Sequence, residues 1–286
     1  MVLGARTLLN KGCVLFYTSD DLDKWEYMGT DSVPDFGYMW ECPDMFTVGG
    51  HRYLSVSPQG LEHYETKYQN AFQSGHFLSD SGLTDFTEWD MGFDFYAPQT
   101  FEAPDGRRII IGWFGIGDSA YTNPTTALGY QHCLTIPREV TADEKGRLMQ
   151  NPARELLALR KESRHLSGGD TAEITLPSEL TVDVHGSFKI SFDGRLELVW
   201  DGKVFELRFT DKKYGSGRTV RKAVLEKCSD IRIIADTSSL EIYLDGGRKV
   251  FGTRFYPDNE RVTVSVDGIS AEMFSLRGME VKYLGE

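Results

Sequence analysis

Hydrophobic and polar positions alternate in short segments along the whole chain. The apolar segments are rich in β-branched and aromatic residues, and Gly, Asp and Pro separate them. A period of two residues, bounded by turn-forming residues, is typical of β-strands. The pattern therefore predicts an all-β protein.

The N-terminal half contains an irregular internal repeat. Each unit begins with a strand that proline opens, continues through a glycine turn and ends in a second strand. Proline suits the first position of a strand because it has no N–H to give to the ladder. The unit is similar in size to one four-stranded propeller blade, although a coincidental hairpin pattern is the alternative. The three units begin at Glu41-Cys42-Pro43, Tyr96-Ala97-Pro98 and Thr135-Ile136-Pro137.

The pattern changes after Met149. Asn151 and Pro152 are typical of a helix N-cap and first turn, which predicts a helical linker over residues 151–166. Beyond it, the Asp245-Gly246 pair predicts a tight hairpin. These features predict a domain of propeller blades over residues 1–150 and a β-sandwich over residues 167–286. The strands predicted for the sandwich include Glu173–Leu176, Phe188–Phe192, Leu196–Trp200, Val204–Phe209, Ile231–Ala235, Leu240–Leu244 and Val262–Val266.

Composition and charge exclude several classes of function. The formal net charge of -12 repels phosphate backbones and anionic membranes, so we expect neither a nucleic-acid nor a membrane partner. The four cysteines are scattered, the six histidines show no metal spacing, and no P-loop or dinucleotide fingerprint occurs. We therefore predict neither a metal nor a cofactor. Because no signal peptide is visible, the sequence favours a cytoplasmic protein.

Glu41 is the strongest candidate for catalytic chemistry. It lies in the aromatic and otherwise apolar stretch Gly37–Asp44. In a propeller, the start of an innermost strand lies at the mouth of the central channel. Desolvation between aromatic walls raises the pKa of a carboxyl group, as a general acid requires. The alternative is a surface carboxylate near a strand end, because structural carboxylates outnumber catalytic ones.

Residues around the same predicted mouth suit a sugar. Aromatic rings pack against the apolar C–H faces of sugars, while carboxylates and amides hold the hydroxyl groups. For each aromatic residue alone, core packing is the alternative. The candidates for substrate binding are Trp40, Asp94, Tyr96, Gln99 and Trp113.

The residues Trp40–Phe46 resemble the Glu-Cys-Pro motif of glycoside hydrolase family 32. This family contains the invertases, fructan hydrolases and sucrose-6-phosphate hydrolases. Other segments are similar to family segments, occur in family order and together extend over nearly the whole chain. They are Phe93–Phe101, Ile111–Trp113, Leu134–Glu139 and Ser239–Tyr243.

This resemblance implies a five-bladed β-propeller followed by a C-terminal β-sandwich. It also implies a retaining cleavage of terminal β-D-fructofuranosides such as sucrose, sucrose 6-phosphate or short fructans. Glu41 matches the family's acid/base, whereas Asp94, Tyr96 and Trp113 match segments that line the fructose pocket. Two carboxyl groups about 5–5.5 Å apart are required for such a mechanism.

The sequence departs from the family where the second carboxylate is expected. Family members carry the nucleophile in an Asn-Asp-Pro-Asn-Gly-like segment and a further aspartate in an Arg-Asp-Pro segment, and neither segment occurs in this sequence. We therefore expect an incomplete propeller, inactive alone, that self-associates or requires a missing N-terminal fragment. The alternative is a non-catalytic carbohydrate-binding protein that retains the sugar pocket.

Overall fold

A computed structural model describes residues 1–279, and almost all of its regular structure is β. Within these residues there are 24 strands and two short 3-10 helices, Pro124–Leu128 and Arg154–Leu159. No helix in this part of the chain has the length and apolar character needed to cross a membrane. The all-β prediction is confirmed.

The N-terminal half forms three antiparallel sheets that pack side by side as propeller blades. The first has the order β1-β2-β3 and the second β4-β5-β6-β7. In the third, β9 pairs with β8 on one edge and with both β10 and β11 on the other, and β12 pairs with β11. The strands are β1 Val2–Arg6, β2 Gly12–Thr18, β3 Glu26–Asp31, β4 Met39–Val48, β5 His51–Gln59, β6 Gly75–Leu78, β7 Thr84–Glu88, β8 Tyr96–Glu102, β9 Arg108–Phe114, β10 Cys133–Leu134, β11 Arg138–Ala142 and β12 Leu148–Pro152.

The third repeat unit does not open a new blade, so that part of the repeat prediction is wrong. Its first strand, β11, pairs with β9 and completes the sheet that the second unit begins. The β8–β9 hairpin leaves one edge of β9 unpaired, and β11 satisfies those backbone groups. Any antiparallel hairpin can carry the same proline and glycine pattern, which is why the sequence did not separate the two cases.

Apolar side chains fill the spaces between the blades. The layer between the first and second sheets contains Val14, Trp40 and Phe77. The layer between the second and third sheets contains Phe46 and Trp89 among other buried residues. Because both faces of the second sheet are covered in this way, its strands are held in a fixed position.

The C-terminal half is a sandwich of two six-stranded antiparallel sheets around one large apolar core. The sheet orders are β13-β24-β15-β20-β21-β22 and β14-β23-β16-β17-β18-β19. The strands are β13 Arg160–Leu166, β14 Thr171–Thr175, β15 Ser178–Asp183, β16 Phe188–Phe192, β17 Leu196–Trp200, β18 Val204–Phe209, β19 Val220–Val224, β20 Asp230–Asp236, β21 Ser239–Leu244, β22 Lys249–Arg254, β23 Arg261–Asp267 and β24 Ser270–Leu276.

The helical linker predicted over residues 151–166 is wrong for most of its length. Asn151 and Pro152 end strand β12, and the N-cap of the short helix is Ala153, which makes no capping side-chain bond. The helix ends at Leu159, and Arg160–Leu166 forms an edge strand of the sandwich that pairs with β24. Tertiary pairing thus overrides the local signals for a helix.

Candidate active site

Glu41 and Tyr96 occupy equivalent places in β4 and β8. Each is followed by a residue in the left-handed backbone region, Cys42 with φ 46° and Ala97 with φ 48°, and then by proline. In both strands the pairing register shifts directly after the candidate side chain. These irregularities are β-bulges, which re-aim side chains next to active sites. The equivalence of the first two repeat units is therefore visible in the backbone.

The bulges bring the two side chains together. The Tyr96 hydroxyl donates a hydrogen bond of 2.8 Å to Oε2 of Glu41. The Glu41 side chain is half-buried, while Tyr96 is buried. Burial and the neighbouring Glu41 carboxylate raise the pKa of Tyr96 well above its ordinary value, so the hydroxyl keeps its proton. Tyr96 is thus a fixed hydrogen-bond donor to the carboxylate.

Further aromatic rings lie next to Tyr96. Trp113 is its strand partner in β9, and the two ring centroids lie 6.5 Å apart. The ring of Phe72 lies 5.9 Å from Tyr96, and that of His132 lies 4.7 Å from Trp113 in an edge contact. We call the half-open surface formed by Glu41, Tyr96, Trp113 and these two rings the mouth.

Polar contacts fix β4 beside β8. The Gln99 side-chain amide donates to the Cys42 carbonyl oxygen over 3.0 Å. Asp44 accepts bonds of 2.7 Å from the Thr100 backbone N–H and 2.6 Å from its hydroxyl. The amide nitrogen of Gln99 also donates to the Pro98 carbonyl oxygen over 2.9 Å, so both of its N–H groups are engaged, although the residue is exposed. The binding of a sugar by Gln99 stays a prediction.

Trp40 does not line the mouth, so its predicted contact with a sugar is wrong. Its side chain is fully buried, and the indole Nε1 donates to the Phe36 carbonyl oxygen over 2.7 Å. Successive side chains point to opposite faces of a strand, so a half-exposed Glu41 places Trp40 in the layer between blades. Core packing is the correct interpretation of this residue.

Asp94 is also absent from the mouth, which corrects a second prediction. Its carboxylate is fully buried and accepts bonds of 2.6 Å from the Tyr121 hydroxyl, 2.6 Å from the Arg218 guanidinium and 2.8 Å from the Arg254 backbone N–H. Two of these donors belong to the sandwich. Asp94 therefore anchors one domain to the other. Both of its carboxylate oxygens already accept hydrogen bonds from the protein.

Phe72 and His132 at the mouth were not predicted from the sequence. Both lie in loops, where no strand pattern predicts which side chains face the mouth. Burial holds the pKa of His132 below its usual value, which favours a neutral ring against Trp113. Within residues 1–279, no group of three His, Cys, Asp or Glu side chains has the arrangement of a metal site.

Comparison with known proteins identifies the class of protein that this fold and site define. Residues 1–152 match the Glycosyl hydrolases family 32 N-terminal domain, and residues 154–280 match the Glycosyl hydrolases family 32 C terminal domain. The chain belongs to glycoside hydrolase family 32. The resemblance seen in the sequence is confirmed.

Individual relatives agree with this assignment. Sucrose-6-phosphate hydrolase of Bacillus subtilis is 35% identical, and the match covers 94% of this chain and 62% of that protein. The Klebsiella pneumoniae enzyme of the same name is also 35% identical, with coverages of 90% and 58%. This chain thus spans about three fifths of the length of the curated relatives that it matches.

Solved structures support the fold. A Bombyx mori GH32 β-fructofuranosidase superimposes with a TM-score of 0.83 at 30% identity, covering 96% of this chain and 62% of that one. Sucrose-6-phosphate hydrolase from Lactobacillus gasseri gives a TM-score of 0.79 at 24% identity, with coverages of 96% and 63%, which bears on the fold alone. The predicted propeller followed by a β-sandwich is confirmed.

Proposed function

We propose that this chain supplies the general acid/base and part of the sugar pocket of a retaining β-fructofuranosidase. The observation that carries the proposal is the Glu41–Tyr96 pair, held by matched bulges beside Trp113. The printed names of the relatives, sucrose-6-phosphate hydrolase and β-fructofuranosidase, support it. The substrate class is a terminal β-D-fructofuranoside: sucrose, sucrose 6-phosphate or a short fructan.

In the first step of this mechanism, an aspartate attacks the anomeric carbon of the fructosyl unit and the bond to the leaving oxygen breaks. Glu41 gives its proton to that oxygen. In the second step the Glu41 carboxylate takes a proton from water, which attacks the same carbon and releases the aspartate. Tyr96 holds Oε2 of Glu41 and leaves Oε1 to face the leaving group.

The nucleophile in this proposal comes from a segment outside the chain. The sequence contains neither an Asn-Asp-Pro nor an Arg-Asp-Pro segment, and the predicted pocket carboxylate Asp94 is occupied by sandwich donors. A general acid alone contributes roughly 10²–10⁴-fold, which is far below a complete enzyme. We therefore expect the chain to be inactive alone and active with a complementary N-terminal fragment.

The test mixes this chain with an N-terminal fragment of a family member that carries the Asn-Asp-Pro-Asn-Gly-like segment. Release of fructose from sucrose and sucrose 6-phosphate is measured for the wild type, for Glu41→Gln and for the control Glu144→Gln, an exposed turn residue. We expect activity only in the mixture, lost in Glu41→Gln and kept in Glu144→Gln.

Three outcomes would contradict parts of the proposal. Turnover of about 1 s⁻¹ by the chain alone would show that no outside nucleophile is needed. Activity that survives Glu41→Gln would exclude Glu41 as the acid. Stable association without activity, together with fructose binding by the chain, would favour the non-catalytic carbohydrate-binding protein instead.

A further inference from the structure

A long loop of the propeller half extends from the mouth to the sandwich. It comprises residues 60–74, which connect β5 to β6, whereas the β1–β2 hairpin closes with residues 7–11. Loops longer than about 12–15 residues that lack strands and helices of their own are uncommon in compact domains and are usually functional. Phe72 lies near the end of this loop, with its ring 5.9 Å from that of Tyr96. A contact that fixes the 60–74 loop therefore also fixes one wall of the mouth.

The side-chain amide of Gln69 pairs with the sandwich as a further strand would. Its nitrogen donates to the Lys222 carbonyl oxygen over 2.8 Å, and its oxygen accepts the Lys222 backbone N–H over 2.9 Å. Lys222 lies in β19, the edge strand of its sheet. Edge strands present unpaired backbone groups, and Gln69 satisfies two of them. The 60–74 loop is thus attached to the sandwich at this residue.

Arg221 of the same strand holds the next residue of the loop. Its guanidinium donates two hydrogen bonds to Oδ1 of Asn70, over 3.0 Å from Nε and 2.7 Å from Nη2. This planar fork fixes the orientation of the amide as well as its distance. Asn70 is 7% exposed, and its Nδ2 donates to the Gly92 carbonyl oxygen over 2.9 Å. The Asn70 carbonyl oxygen accepts a 2.7 Å bond from the side-chain amide of Gln73, which closes the turn that carries Phe72.

The end of the loop is fixed separately. The Ser74 hydroxyl accepts the Ala97 backbone N–H over 3.1 Å, directly after Tyr96 in β8. Phe72 lies between this anchor and Asn70, and its half-buried ring leaves part of one face open beside Tyr96. The position of the ring therefore depends on the sandwich, whereas the bulge in β8 has its own support.

We propose that Arg221 is a positioning residue of the active site. Together with the pairing of Gln69 on β19, it holds Phe72 in place as a wall of the mouth. The ring packs against an apolar C–H face of the bound sugar, as aromatic side chains do in sugar sites. The contact with the sugar rests on the function proposed for the mouth, but the attachment of the 60–74 loop to the sandwich does not.

The first test uses the full chain alone, with 4-fluorophenylalanine in place of Phe72, and ¹⁹F NMR follows that ring. We expect one resonance, shifted from that of the chain unfolded in urea because the ring lies beside Tyr96. Arg221→Met and Gln69→Ala should each broaden this resonance or move it towards the unfolded position. The control Arg164→Met, at an exposed position of β13, should leave it unchanged.

The second test measures kcat and KM for sucrose in the mixture with the N-terminal fragment. Glu41 and Tyr96 are held by β4 and β8, so Arg221→Met should raise KM about tenfold and change kcat by less than about twofold. Phe72→Ala should raise KM by a similar factor. The double variant should raise KM no further, because residues that act through one contact are not additive. Arg221→Lys keeps the charge without the fork and should give an intermediate KM.

Two results would overturn the inference. One is a ¹⁹F resonance at position 72 that is unchanged in both Arg221→Met and Gln69→Ala. The other is a double variant that raises KM by the product of the two single factors, which would show that Arg221 and Phe72 act independently. If the wild-type mixture releases no fructose, the function proposed for the mouth fails, while the ¹⁹F comparison still decides whether the sandwich holds Phe72. If Arg221→Met does not fold, Gln69→Ala takes its place in both tests, because it removes only two hydrogen bonds of a half-buried side chain.

Discussion

At the scale of single residues, Tyr96 has one role that its surroundings fix. Burial and the Glu41 carboxylate both raise the pKa of Tyr96, so its hydroxyl keeps the proton near neutral pH and donates it to Glu41 in a hydrogen bond. The sequence placed Tyr96 in the sugar pocket because of its position in the repeat. The contact with Glu41 makes it a positioning residue as well, since it orients the proposed acid.

We predict that Tyr96→Phe lowers kcat of the complemented enzyme about 10–100-fold, because a hydrogen bond to a charged group is worth about 1.5–3 kcal/mol. Steady-state kinetics on sucrose measures kcat and KM separately. The exposed Tyr214→Phe is the control. A rise in KM with unchanged kcat would show that Tyr96 binds substrate without positioning Glu41.

His76 should make folding stability depend on pH. Its pKa is about 3 in the folded protein and about 6.5 when unfolded. At pH values well above 6.5, His76 is neutral in both the folded and the unfolded chain, so its titration takes nothing from the free energy of unfolding. As the pH falls towards 3, the unfolded chain binds a proton that the folded chain excludes, so stability is lost. By pH 5 the loss is about 2 kcal/mol.

His76→Phe removes this proton linkage. Urea unfolding at pH 7.5 and pH 5 should therefore show a decrease in the free energy of unfolding that is smaller in the variant by about 2 kcal/mol. Equal pH dependence in the two proteins would mean that the imidazole is accessible to protons in the folded state.

At the scale of elements, the sequence predicted those strands whose apolar alternation is strong. Leu196–Trp200 and Val204–Phe209 form with the expected bounds. The strand β15 was not predicted because Glu179 interrupts its apolar pattern. The carboxylate of Glu179 is stabilised in the buried strand by ion pairs with Arg160 and Arg232. Such partners are distant in sequence, as are those that bury Asp94. Local patterns therefore predicted that Glu41 and Tyr96 lie together, which the structure shows, but misplaced Asp94.

The edge strand β13 leads to a prediction about the stability of the isolated sandwich. It pairs with β24, and its first residue Arg160 forms a 2.7 Å ion pair with the fully buried Glu179. A segment that begins at residue 168 loses both interactions, whereas one that begins at residue 160 keeps them. We predict that the 160–286 segment is more stable than the 168–286 segment, because the shorter segment loses an edge strand and one of the two cations that pair with the buried Glu179. Thermal unfolding of the two segments measures the difference, and equal melting temperatures would exclude β13 from the folding unit.

At the scale of the whole molecule, residues of the propeller half pack into the apolar core of the sandwich. Met91 and Phe93 precede the third propeller sheet yet belong to the apolar core of the sandwich. Their backbone N–H groups donate to Val250 and Gly252 carbonyls of β22, each over 2.8 Å. The sandwich therefore supports the segment that leads into β8 and Tyr96, and the position of the mouth depends on both domains.

Arg138 links the two domains through a buried ionic group. Its side chain is fully buried and pairs with Asp90 at 2.9 Å and with Glu241 of the sandwich at 2.7 Å. Tyr243 donates a further 2.8 Å bond to the Glu241 carboxylate. Removing one member of a buried ionic group leaves a charge without compensation, which costs about 3–5 kcal/mol. Replacing an exposed pair costs about 0–1 kcal/mol.

We predict that Arg138→Met lowers the free energy of unfolding of the full chain by about 3–5 kcal/mol. The matched control is Arg261→Met, because the Arg261 side chain is 70% exposed and pairs with the exposed Glu173. Adding Glu241→Gln to Arg138→Met should recover part of the loss, since it removes a buried negative charge that no longer has its cation. Urea unfolding followed by tryptophan fluorescence measures all three. If Arg138→Met is no more destabilising than Arg261→Met, the domains are held together by apolar packing, and the ionic group contributes specificity of docking without stability.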